Sequence, residues 1–123
     1  MNVSGIVWTT VTIVWMGFIF YLSSLSGQEM DEQFDFKPVS WIGHIVLFSG
    51  LAALLQSAIR RWDFEVNLNW VIVVSLFSSL FGISDEYHQS FVSGRHATAA
   101  DALINSISST VTSVLMWIFN RST

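Results

Sequence analysis

Apolar residues gather into four long runs separated by short polar stretches. "IVWTTVTIVWMGFIFYLSSL" covers residues 6–25 and "WIGHIVLFSGLAALLQSAI" covers 41–59. A third run opens at Leu68, passes through "WVIVVSLFSSL" and reaches residue 88, and the fourth, "ALINSISSTVTSVLMWIF", covers 102–119. A helix that crosses the hydrocarbon core of a bilayer needs about 20 mostly apolar residues, and each run supplies them. None carries the one-sided apolar stripe of a helix lying on a soluble core. The pattern predicts an all-α membrane protein, a four-transmembrane-helix bundle forming a single domain over residues 1–123.

Composition agrees. Charged residues make up 11% of the chain and hydrophobic ones 52%, whereas a soluble domain carries about 25% charged residues. The chain has no cysteine, which excludes disulfides and thiolate metal sites. A net charge of −4, with no basic run, gives no reason to expect nucleic acid as a partner. The first run lacks a basic leader and is long, so it reads as a retained anchor rather than a signal peptide.

Positive charge sets the expected direction. Arg60 and Arg61 lie between the second and third runs and Arg121 follows the fourth, with Lys37 and Arg95 on the opposite side. The arginine pair favours cytoplasmic termini. Aromatic residues fit the same borders, with Trp8, Trp62, Trp70 and Trp117 inside and Tyr21, Trp41 and Tyr87 outside. The acidic stretch "SGQEMDEQFDFKPVS" is then an outer, partly ordered segment, "RRWDFEVN" a short inner turn, and "SFVSGRHAT" the second outer loop.

In this frame the polar residues collect in one layer. Asp85 stands 18 residues beyond Asn67, roughly 27 Å along a helix, and so reaches the outer end of the third span. Asp101 opens the fourth span from that side with Asn105 a turn deeper, His44 lies a turn into the second, and Ser23, Ser24 and Ser26 close the first. Asp85, His88 and Gln89 share a helix face, while Glu86 is rotated by about 100° toward another neighbour or the headgroups. Simpler roles compete. Glu86 and His96 can merely mark where a helix leaves lipid, in which case Glu86→Gln is mild. Asp101, three residues after Thr98, fits a capping box, and His44 can be a packed core histidine. Gly94 gives Arg95 a flexible neighbour.

The residue types for chemistry are present. His44, Asp85, His88 and Asp101 are the candidates for acid–base work, and Arg95, Gln89, Asn105 and Glu86 the candidates for holding a ligand. No metal site is expected from spacing. Two histidines and three carboxylates are types that bind zinc or another divalent ion, and Asp85 and His88 could chelate together, but Glu86 and His88 diverge on a helix and no HExxH-type arrangement exists. No serine sits in a recognisable nucleophile elbow, and nothing indicates a cofactor.

"SDEYHQSFVSGR" followed by "DALIN" resembles the VanZ-like family of small membrane proteins, whose pattern is D-E-x-x-Q-x-F-x-P-x-R and then Asp and Asn four apart. The matching positions are Asp85, Glu86, Gln89, Phe91, Arg95, Asp101 and Asn105. "FYLSSLSG" in the first span and Gly43–His44 in the second are also similar to the family. The chain departs from it in carrying Ser93 for a usual proline, Trp41 and Leu47 where a lysine and a glutamate often flank the histidine, and Ser108 and Thr112 for common glycines. The resemblance implies a bacterial multi-pass cell-membrane protein. One family member is associated with reduced susceptibility to lipid-tailed glycopeptide antibiotics of the teicoplanin type.

An outward-facing polar pocket that recognises or modifies an anionic, lipid-linked cell-envelope molecule is the expected function, with Arg95 on a phosphate. Membrane lipids or such a precursor would be the partner. A membrane-embedded enzyme acting on a lipid phosphate by acid–base or metal-assisted chemistry is the first alternative. A small-solute or proton transporter, working as a homo-oligomer, is the second.

Overall fold

The computed structural model describes residues 1–25, 38–94 and 98–121. Among the described residues, four helices form where the apolar runs lie: α1 (Val3–Ser24), α2 (Pro38–Arg61), α3 (Leu68–Gln89) and α4 (Ala99–Arg121). They are 22 to 24 residues long, roughly 33–36 Å at 1.5 Å per residue, and each is apolar enough to cross a bilayer. Ser26, Lys37, Arg95 and His96, with the acidic stretch over 26–37, lie outside the described residues.

Short polar side chains start three of the helices. Asn2 accepts from the Gly5 amide (2.8 Å), Asn67 from the Trp70 amide (3.2 Å) and Thr98 from the Asp101 amide (3.1 Å). Each satisfies an amide that the helix leaves unpaired, a contribution of about 1 kcal/mol. α2 ends in a Schellman motif: Phe64 N donates to Ile59 O (3.4 Å) and Asp63 N to Arg60 O (3.0 Å), with Asp63 in the left-handed region at φ 67°.

Lipid offers helices no hydrophobic drive to associate, so close packing and interhelical hydrogen bonds must hold them together. The interior reflects this. Among the described residues, buried polar side chains outnumber buried apolar ones by 11 to 7, while Val7, Val14, Ile72, Leu76, Leu80 and many others face outward. The apolar core is a small cluster of Ile19, Phe48 and Leu51, flanked by Trp15, Met16, Leu47 and Phe81. Here α1 and α2 nearly touch. Trp15 Nε1 donates to Leu47 O (2.8 Å), and a Cβ on Gly50 would lie 2.8 Å from the Trp15 ring. α4 packs through Asn105, Ser109 and Ser113, a fully buried row at four-residue spacing. Ser108 and Thr112, the expected close-packing positions, flank that row half-buried. Gln56 of α2 joins it at depth: Ser113 Oγ donates to Gln56 Oε1, and Gln56 Nε2 donates to Ser113 O (3.2 Å).

Both described chain ends and Arg60, Arg61 and Arg121 occupy one end of the bundle. Asn2 Nδ2 donates to Arg61 O (2.6 Å) and Trp62 Nε1 to Thr9 Oγ1 (2.8 Å). The Arg61 guanidinium stands 5.4 Å from the centre of the Trp8 ring, and that of Arg121 4.9 Å from Trp117.

The left-handed residue gives a direct test. Asp63→Gly should raise stability by about 1 kcal/mol by removing the cost of a side chain at positive φ, whereas Asp63→Val should lower it by at least as much. Reversible unfolding in mixed micelles, followed by circular dichroism, reads both.

Candidate functional site

The bundle end opposite Arg60, Arg61 and Arg121 holds the polar layer, and the structure divides it in two. The division arises at Asp85 and Glu86. Adjacent residues on a helix point about 100° apart, and both are buried at 6% exposure, so they serve different neighbours.

Asp85 turns to α1. Ser23 Oγ donates to Asp85 Oδ1, while Gln89 Nε2 donates to Asp85 Oδ2 (3.1 Å) and to Ser23 Oγ (3.2 Å). The two N–H groups of one amide and the single hydroxyl proton are all used, closing a buried triangle that fastens α1 to α3. His88, a turn further along, lies half-buried against α1 as well. Its ring stacks on Phe20 with centroids 4.4 Å apart, and its Nε2 is 3.0 Å from Ser24 Oγ. Ser24 spends its own proton on Phe20 O (2.8 Å), so it accepts from His88, and Nε2 carries the hydrogen. Asp85 and His88 therefore have separate partners among the described residues.

Glu86 turns the other way, into the space between α2, α3 and α4. Its Oε1 stands 4.0 Å from His44 Nε2, as does Asp101 Oδ1. The opposite nitrogen, His44 Nδ1, lies 2.8 Å from Asn105 Oδ1. An amide oxygen only accepts, so Nδ1 holds the ring proton and Nε2 faces the two carboxylates. Glu86 Oε2 also accepts from the Thr98 amide (3.3 Å), linking the end of α3 to the cap of α4. Gly82, a turn below Glu86, leaves room for Asn105: a Cβ there would meet Asn105 Cβ at 3.1 Å and Phe48 Cε1 at 3.3 Å.

Glu86 is therefore no boundary residue, and the mild Glu86→Gln expected on that reading does not fit its burial. A signal for this was present in the sequence. Ser78, Gly82 and Glu86 repeat at four-residue spacing, and all three are buried. Asp101 does sit three residues after the Thr98 cap, as the spacing suggested, and it also faces His44. His44 and Asn105 make direct contact across α2 and α4. The Gln56–Ser113 pair had no counterpart in the sequence reading, because an isolated glutamine in an apolar helix carries no spacing signal.

Four apolar helices enclosing a polar end define the class, a multi-pass helical membrane protein. The VanZ/LLP1 family model matches residues 8–120, nearly the whole chain, and the protein belongs to that family. No curated protein and no solved structure matches the chain.

The Ser23–Asp85–Gln89 triangle predicts that Ser23→Ala, which strips a donor from a buried carboxylate, lowers stability by about 1–2 kcal/mol. The same unfolding measurement detects it. In a chain that otherwise lacks cysteine, cysteines placed at positions 44 and 101 should crosslink with a short reagent, as should a pair at 24 and 88. Failure of the first pair in folded protein would refute the junction of α2 with α4.

Proposed function

We propose that the polar end of the bundle recognises or modifies an anionic, lipid-linked cell-envelope molecule at the extracytoplasmic membrane surface. The carrying observation is the meeting of His44, Glu86, Asp101 and Asn105, from three helices, at one end of a bundle whose outer surface is apolar. Buried ionisable groups inside a membrane protein are costly and accordingly mark ligand, ion or proton sites. A lipid-linked molecule suits that position, since its tail can remain in the bilayer while its headgroup reaches the polar end. Arg95, which follows α3 and precedes α4 in the sequence, is the proposed phosphate partner through its planar fork of donors. Asn105, which orients His44, is the proposed contact for sugar or amide groups, whereas Gln89, the other such candidate in the sequence, has its amide protons committed to the α1–α3 joint. Both termini would be cytoplasmic, in keeping with Arg60, Arg61 and Arg121 at their end.

Catalysis is the second reading. One observation favours it: a histidine oriented through Nδ1 by Asn105, with Nε2 facing two carboxylates, has the arrangement of an acid–base group and its orienter. Through the family's association with teicoplanin-type antibiotics, reduced susceptibility to lipid-tailed glycopeptides is the proposed cellular consequence.

Orientation is tested first: a reporter fused after Thr123 should be active only in the cytoplasm. For the ligand, purified protein in nanodiscs should bind a polyprenyl phosphate, and Arg95→Ala should weaken binding at least tenfold with unfolding unchanged, since a loop arginine contributes little to stability. Equal binding by Arg95→Ala and the parent would overturn the role of Arg95. No binding by folded parent would overturn the proposed ligand. Release of free phosphate or headgroup by the parent, lost in His44→Gln, would decide for an enzyme.

A further inference from the structure

His44 of α2, Glu86 of α3 and Asp101 of α4 each present one ligand atom, and these atoms all lie within 4.8 Å of one another. His44 is 9% exposed, and its ring is aimed by the Asn105 contact at Nδ1. That contact turns Nε2 toward a carboxylate oxygen on each side, each 4.0 Å away. Nε2 makes no hydrogen bond among the described residues. Donor atoms from three helices thus converge on one buried space, and both carboxylate oxygens stand beyond the ~2.7–3.2 Å of a hydrogen bond to Nε2.

We propose that His44, Glu86 and Asp101 form a binding site for a divalent transition-metal ion of the zinc or manganese class. An ion at the centre of three atoms no more than 4.8 Å apart lies within about 2.8 Å of each. Rotation of the carboxylates closes the rest to a bonding length of about 2.1 Å. One imidazole and two carboxylates, without thiolates, is a donor set for such ions. Asn105 is the outer-shell partner that fixes ring orientation and tautomer, a recurrent feature of histidine metal ligands. Three protein ligands leave a coordination position open, as in sites that bind water or substrate rather than purely structural ones. Asp101 is the ligand nearest the solvent, its side chain 15% exposed against 7% for Glu86. Binding of the ion does not depend on which molecule the site recognises.

The test uses the full chain in detergent, stripped with a chelator and titrated with Zn²⁺ by calorimetry and with Co²⁺ by visible absorption. One ion per chain is expected, with a Co²⁺ spectrum of low coordination number. Glu86→Gln and Asp101→Asn should each weaken binding at least tenfold, and Asn105→Leu by about tenfold through its outer-shell role. Asp63→Asn and Glu65→Gln, at the other end of the bundle, should match the parent. Helical circular dichroism and a single elution peak establish folding. Should Glu86→Gln fail to fold, Asp101→Asn at the solvent edge carries the test. Absence of binding by folded, stripped parent would overturn the proposal, as would parental affinity in folded Asp101→Asn, or loss confined to His88→Asn.

Discussion

A polar group inside a bilayer has no water to turn to, and its only inexpensive partner is another polar group on a neighbouring helix. The bundle is organised by that constraint. Its buried interior is mostly polar. Its helices are joined by side-chain contacts at definite heights: Ser23–Asp85–Gln89 for α1 with α3, and His44–Asn105 and Gln56–Ser113 for α2 with α4. Apolar contact alone would leave such helices free to rotate and slide, because lipid tails pack on valine and leucine as well as another helix does. Paired polar groups fix rotation and register together, since one misplaced residue would strand both partners in hydrocarbon.

The same constraint separates structure from chemistry at the polar end. Among the described residues, Asp85 accepts from Ser23 and Gln89, whose protons are committed there, and it serves as a joint. The three-helix cluster is different. His44 is held firmly on one side by Asn105, while its other nitrogen faces two carboxylates at 4.0 Å without a hydrogen bond among the described residues. A joint needs every group matched, whereas a site needs one group positioned and left available. Two neighbouring acids, Asp85 and Glu86, thus take separate roles simply because a helix turns by about 100° per residue.

The spans, the all-helical class and the meeting of polar residues at one end were all legible in the chain. Hydropathy and length are properties of segments, and bilayer thickness converts them directly into helices. Depth within a span is equally local, so His44, Asp85, Asp101 and Asn105 could be assigned to a common layer by counting residues. The Thr98 cap was legible for the same reason, because it lies three residues from its partner.

Which of those residues touch was decided only by the tertiary structure. Periodicity gives the angle between two side chains on one helix but not the direction of either relative to the next helix. That direction depends on which faces pack, and here it is set by Gly50 beneath Trp15, by Gly82 beneath Asn105 and by the Asn105–Ser109–Ser113 row. Asp85, His88 and Gln89 formed a sound stripe in sequence, yet the stripe faces α1, and the residue set apart from it, Glu86, meets His44 and Asp101. The sequence by itself determined the membrane, the number of spans and the depth of each polar group, all consequences of local composition. The pairing of those groups into a joint and an open cluster depended on helix rotation, which only the close approach of small residues in the assembled bundle establishes.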